Sequence, residues 1–188
     1  MEEGRDLDRL LSSFSCEQDD DIESFLHKRA VEFEKLSKSR TYLVFDQEQL
    51  ENASMDNQPL KIYGYISLAL KILTVPETTS NRIRKDLDGF SSKIHGTLIN
   101  DFPCYLIGQL SRASNVPKES LSGKQLVDFA YDVITAAVNS VGGRYMMIEC
   151  HDNEKLIQFY EKNSFRVIAR VPDEDKPMVQ MICKIENR

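Results

Sequence analysis

No run of apolar residues in this chain is long enough to cross a bilayer. The longest, around Ile66 to Val75, is interrupted by Lys71, whereas a spanning helix needs about twenty apolar residues in succession. The amino-terminal segment opens with Glu2, Glu3 and Arg5 and lacks the apolar core of a secretory leader. Cysteine is sparse: Cys16, Cys104, Cys150 and Cys183 are far apart and form no CxxC pair. That spacing suits neither a zinc site nor a small disulfide framework. Three of the four lie in apolar, strand-like surroundings and read as buried reduced thiols, so a cytoplasmic location with no membrane partner is expected. An excess of basic charge is missing as well. With 24 Lys and Arg against 30 Asp and Glu, the formal charge is −6. This disfavours a nucleic-acid partner, whose affinity rests on neutralising phosphates, but leaves a local basic patch open.

Several catalytic signatures are also absent. There is no GxSxG elbow, no GxxxxGK[ST] phosphate loop and no HExxH metal helix, and the chemistries that need them lose support. No internal repeat or low-complexity linker divides the chain. Its 188 residues, 41% apolar and 29% charged, are expected to form a single soluble domain over 1–188.

What is present has a clear order. Asp19, Asp20 and Asp21 cap a helix whose apolar residues Ile22, Phe25, Leu26, Ala30 and Phe33 recur at helical spacing, and Ser37 to Arg40 closes it. Thr41 to Phe45 and Ile62 to Leu73 read as strands of an antiparallel hairpin around a polar loop, Gln47 to Pro59. Gly64 marks a bulge or a close backbone approach. A short helix near Arg82 to Leu87 and a polar loop to Pro103 follow. The second half alternates: strand Cys104 to Leu110, helix Leu121 to Asn139 ended by Gly142-Gly143, strand Arg144 to Cys150, helix Asn153 to Lys162, then strands Phe165 to Val171 and Met178 to Ile185. The strand–helix–strand unit predicts a parallel pair with a right-handed crossover. The expected class is mixed α/β, with a mostly antiparallel sheet around that pair.

Tyr105 to Leu110, Leu121 to Leu126 and Asn153-x6-Tyr160-x4-Phe165 together resemble the acetyl-CoA-binding core of the GNAT N-acetyltransferases. The most specific piece is Phe159-Tyr160-Glu-Lys-Asn-Ser-Phe165, where the family commonly has FYxxxGF; here Ser164 replaces the glycine. Phe14-Ser-Cys16, Phe25-Leu26, Ser39 to Tyr42 and Tyr63 to Leu68 resemble a GNAT branch that includes toxins acetylating aminoacyl-tRNA.

The resemblance implies a GNAT fold whose central parallel strands splay. Acetyl-CoA would lie in the gap as co-substrate, its pantetheine along Leu110, Ser111 and Arg112. Its pyrophosphate would meet the helix start from Lys118 to Lys124, including Ser122, Gly123 and Lys124, where backbone amides and the dipole favour an anion. No metal is implied. Asn153 matches a residue that contacts pantetheine, and Tyr160 matches the general acid that protonates the departing thiolate. The family signature Q/R-x-x-G-x-G/A aligns with Lys118-Glu-Ser-Leu121-Ser-Gly123, so Leu121 stands where a glycine permits close approach to phosphate.

Each residue also has a plainer reading. Tyr160 could be a core tyrosine with its hydroxyl tied to backbone, Asn153 an N-cap, and Gly123 a packing residue. The general base is not identified; Glu149 is a candidate that could equally be a hydrogen-bonding residue. The resemblance leaves the amine-bearing acceptor open and admits a homodimer. The functions to weigh are direct transfer of acetyl to a primary amine, toxin-like acetylation of aminoacyl-tRNA, which the acidic charge disfavours, and a degenerate GNAT-fold binding module.

Overall fold

The computed structural model describes residues 2–56, 60–172 and 175–185. Helices α1 (Glu2–Leu11), α2 (Asp20–Lys28) and α3 (Ala30–Lys35) lead into strand β1 (Arg40–Val44), helix α4 (Gln47–Asp56) and strand β2 (Gly64–Thr74). Helix α5 (Asn81–Asp88) and the short strands β3 (Lys93–Ile94) and β4 (Thr97–Leu98) follow. Then come β5 (Asp101–Arg112), α6 (Gly123–Val141), β6 (Tyr145–His151), α7 (Glu154–Lys162), β7 (Arg166–Val171) and β8 (Met178–Lys184). The six-stranded sheet has the order β1-β2-β5-β6-β8-β7. Its β5–β6 pair is parallel, in register from Tyr105↔Met146 to Ile107↔Ile148. The β1–β2, β6–β8 and β7–β8 pairs are antiparallel. Among the described residues no helix is long and apolar enough to cross a membrane.

Three local expectations are corrected. The single helix expected from Ile22 to Phe33 is two helices meeting at Arg29 (φ −119°). Hydrogen bonding continues across the junction, from Arg29 N–H to Phe25 O and from Phe33 N–H to Arg29 O, each 2.9 Å. The polar loop expected from Gln47 is helix α4 as far as Asp56; residues 57–59 lie outside the described residues. Asp46 accepts from the Gln49 amide at 3.2 Å as a cap, and Gln47 donates to Glu51 at 2.9 Å one turn on. These local bonds favour a helix where apolar periodicity is weak. The expected polar loop before Pro103 contains the β3–β4 hairpin, turned through His95 and Gly96, both at positive φ.

The chain divides into two compact units: Met1–Ala69 with Gly108–Tyr131, and Leu70–Ile107 with Asp132–Arg188. In the first, Phe14, Phe25, Leu26, Ile62 and Tyr65 are buried together. Phe14 meets the Tyr65 ring edge-on at 5.1 Å, and the Tyr65 hydroxyl donates to Ile22 O at 2.6 Å. Apolar rings supply the burial while the one polar tip is bonded.

In the second unit Leu73, Leu87, Phe102, Tyr145, Met147 and Ile182 form the core. Beside it Arg84 is fully buried. Its guanidinium donates to the carbonyls of Thr79 (3.1 Å), Ile99 (2.6 Å), Pro76 (2.8 Å) and Glu77 (3.0 Å), and to the Asn100 side chain. A buried cation is tolerable only when its donors are satisfied. Here carbonyl oxygens do this and hold both ends of the excursion between β2 and β5.

Candidate active site

The residues expected to form the site fall into the two units, and each half has its own geometry. In the first unit β5 ends at Leu110, Ser111 and Arg112, all half-buried. Ser111 Oγ donates to the Arg112 carbonyl at 3.1 Å and lies 3.5 Å from Cys16 Sγ. The Arg112 guanidinium turns onto the following loop, donating to Ala113 O (3.1 Å) and Val116 O (3.0 Å). The loop is pinned further by Ser114 N–H to Ser15 O (2.8 Å) and Asn115 Nδ2 to Ser13 O (3.0 Å). Lys118 is exposed.

The start of α6 is a capping box. Ser122 Oγ accepts from the Gln125 amide at 3.2 Å, and Gln125 Oε1 accepts from the Ser122 amide at 2.9 Å. This reciprocal pair fixes the first turn. The amides of Gly123 and Lys124 then stand in the first turn, where an α-helix provides no internal acceptor. The Lys124 ammonium pairs with Asp128 at 2.6 Å, one turn further on. Gln125 was missed in the sequence reading, although Ser-x-x-Gln before an apolar run is the signal for it.

Leu121 is 3% exposed, with its side chain turned inward to Gly64. A Cβ on Gly64 would lie 2.7 Å from Leu121 Cδ2 and 2.9 Å from Ser111 O. Gly64 is therefore a close-approach glycine, and it makes the room that Leu121 fills. The leucine side chain is consequently withdrawn from solvent at the helix start. The donor set there, backbone amides at a helix N-terminus, suits a phosphate group.

In the second unit Asn153 is the N-cap of α7. Its side-chain oxygen accepts from the Lys155 and Leu156 amides at 2.9 and 3.4 Å. Tyr160 lies near the other end of α7, half-buried, its ring against Phe159 (5.0 Å) and Phe165 (5.7 Å). Among the described residues its hydroxyl has no hydrogen-bond partner. Burial pushes this hydroxyl well above the ordinary tyrosine range, and the nearby Cys150 thiol adds to the shift. The group thus keeps its proton across the physiological range.

The helix closes in a Schellman cap: Phe165 N–H donates to Tyr160 O and Ser164 N–H to Glu161 O, each at 3.0 Å. Ser164 takes the left-handed conformation, φ 70°. This is the position where the GNAT motif has glycine, which adopts that backbone without a Cβ penalty.

Glu149 is committed to neighbours. One carboxylate oxygen meets Lys71 Nζ at 2.5 Å and the other accepts from Gln180 Nε2 at 2.8 Å.

No protein-family model and no curated protein sequence matches the chain. Solved structures do match in three dimensions. A tyrosine-to-phenylalanine variant of KacT is similar over 93% of this chain and 87% of its own, at 17% identity and TM-score 0.64. A tyrosine-to-phenylalanine variant of the toxin AtaT, bound to the C-terminus of the antitoxin AtaR and acetyl-CoA, is similar over 93% and 85%, at 17% identity and TM-score 0.57. A Desulfovibrio desulfuricans protein classed as a GNAT-family acetyltransferase is similar over 98% and 94%, at 12% identity and TM-score 0.53. The chain has the GNAT fold.

Proposed function

We propose that this chain is an acetyl-CoA-dependent N-acetyltransferase of the toxin-like kind, which moves acetyl directly to the amino group of an aminoacyl-tRNA. The observation that carries the reading is the likeness over 93% of the chain to KacT and to the toxin AtaT, the latter solved with acetyl-CoA. The capped start of α6, cleared of the Leu121 side chain, supports a pyrophosphate seat at Gly123 and Lys124, with Lys118 and Ser122 beside it. The strand end Leu110–Arg112 is assigned to the pantetheine arm. Asn153, the α7 cap, is assigned the pantetheine contact that the family resemblance implies.

In the proposed step the acceptor nitrogen attacks the thioester carbonyl carbon. A C–N bond forms and the C–S bond breaks, the thiolate receives a proton from Tyr160, the surplus amine proton leaves to solvent, and solvent returns one to Tyr160. Tyr160 holds its proton tightly in the free protein. It therefore acts first as a hydrogen-bond donor to charge developing on sulfur, where a water-poor site strengthens the bond. Glu149 has both oxygens engaged and is not assigned as the base. The acceptor must then be captured as a neutral amine, which an aminoacyl ester provides more readily than a lysine side chain.

Calorimetry with acetyl-CoA tests the reading. Wild type is expected to bind. Tyr160→Phe is expected to bind within a few-fold while losing roughly 10²–10⁴ in thiol release. No binding by wild type would leave only a non-enzymatic GNAT-fold module. Transfer to free amines with none to charged tRNA would return the assignment to a general amine acetyltransferase.

A further inference from the structure

We infer that the α5–β3–β4 excursion is a docking surface for single-stranded RNA, the unpaired end of the acceptor tRNA; this rests on the aminoacyl-tRNA reading above. The chain is acidic, yet residues 80–98 carry Arg82, Arg84, Lys85 and Lys93 against Asp86 and Asp88 alone. Both acids are already engaged. Asp86 accepts from Arg166 Nη2 at 2.8 Å, and Asp88 accepts from the Phe90 and Ser91 amides at 3.2 and 2.8 Å. Arg84 is buried among carbonyls. Arg82, Lys85 and Lys93 are all exposed and none forms an ion pair among the described residues, so three cations face water against the one charge of half-buried Asp88, which its amide partners do not neutralise. Arg82 and Lys85 are three apart on α5 and share one side of it.

Phe90 stands 86% exposed at the turn after α5, where Gly89 (φ 91°) and the Asp88 cap fix the backbone. Ile94, on β3, is 57% exposed. A single exposed apolar residue would need no explanation. An exposed aromatic ring in the same segment as three exposed cations is different, because this is the pairing that holds single strands: cations follow the phosphates and the ring stacks on a base. A duplex hides its base faces and cannot use the ring. The excursion is also tied to the candidate catalytic helix end. The Asp86–Arg166 pair lies immediately after the Tyr160–Phe165 cap, and Tyr145 Oη donates to Asp86 O at 3.3 Å.

The test uses the full chain, which contains no tryptophan. In Phe90→Trp, emission reports on this position alone. Uncharged tRNA is expected to quench it, and a blunt RNA duplex to leave it unchanged. Arg82→Ala/Lys85→Ala/Lys93→Ala should weaken tRNA binding at least tenfold at about 0.1 M salt and lower the salt slope by about two to three. Phe90→Ala should weaken it about tenfold. Absence of quenching, equal affinity in the triple variant, or an affinity indifferent to Phe90 would overturn the proposal. Acetyl-CoA binding is measured alongside. Acetylation of charged tRNA that the triple variant and Phe90→Ala leave unchanged sinks this inference only. Failure of the wild type to acetylate charged tRNA sinks the reading it rests on, and RNA binding without acetyl-CoA binding sinks the enzyme and spares the surface.

Discussion

The Phe165 amide donates to the Tyr160 carbonyl at 3.0 Å while the two rings meet at 5.7 Å. The FYxxxGF-like segment is thus a helix stop, built on the Tyr160 carbonyl and the Phe165 amide. Its tyrosine and final phenylalanine make the hydrophobic contact of a Schellman cap, and the residue between them must be left-handed. Ser164 meets that demand at a steric cost of about 1–2 kcal/mol. Ser164→Gly should raise stability by about 0.5–1 kcal/mol, after allowing for glycine's greater freedom when unfolded. A urea titration reads the shift, and an unchanged or lower midpoint would contradict it. Ser37, at φ 55° in the equivalent cap of α3, should respond the same way.

Gly64 and Leu121 form a second dependent pair. Gly64→Ala would place a methyl against both Leu121 and the Ser111 carbonyl, and should cost about 1–3 kcal/mol. Leu121→Ala should cost about 2–4 kcal/mol through the cavity it leaves. The double variant should fall short of the sum by about 1 kcal/mol, since the side-chain clash goes and the carbonyl clash stays. Strict additivity in a denaturant series would show that the two do not touch.

Alkaline pH should destabilise the chain in a definite window. Burial raises Cys104 from 9.0 to about 11 and lifts Tyr65, Tyr145 and Tyr160 above their ordinary values. Above the unfolded pKa the native state binds more protons than the unfolded one, so stability falls as pH rises. The contribution of Cys104 is complete below about pH 9 and declines toward 11. Midpoints measured at pH 8 and pH 10.5 should differ, and Cys104→Val should reduce that difference. All four buried thiols should react with Ellman's reagent only after denaturant is added.

The sequence announced some of this structure and concealed the rest. The Asp19 cap, the α6 and α7 helices and the parallel crossover were legible because their signals are local: a cap side chain, a 3.6-residue period, a strand of branched residues. Helix α4 was hidden because its stability comes from Asp46 and polar turn-to-turn pairs rather than an apolar face. The break at Arg29 leaves no mark, since hydrogen bonding continues through it. Leu121 is the instructive case. Along the chain it breaks a phosphate signature; in space Gly64, 57 positions earlier, receives it. Only a fold supplies that information.

Arg84→Met should cost about 3–5 kcal/mol, because five acceptors lose their donor at once. Arg84→Lys should recover little of it, since a single ammonium cannot reproduce the planar fork. Thermal melts of the two variants check this, and a lysine melt close to wild type would refute it.

Four of the five acceptors around Arg84 belong to the main chain, at Pro76, Glu77, Thr79 and Ile99, and only Asn100 contributes a side chain. Every residue type carries a carbonyl. Substitutions at Glu77, Thr79, Arg82, Lys85, Phe90 or Lys93 therefore leave the framework of the excursion standing. Over evolutionary time this segment can exchange one recognition surface for another while its backbone path persists, so that its partner can change long before its shape does.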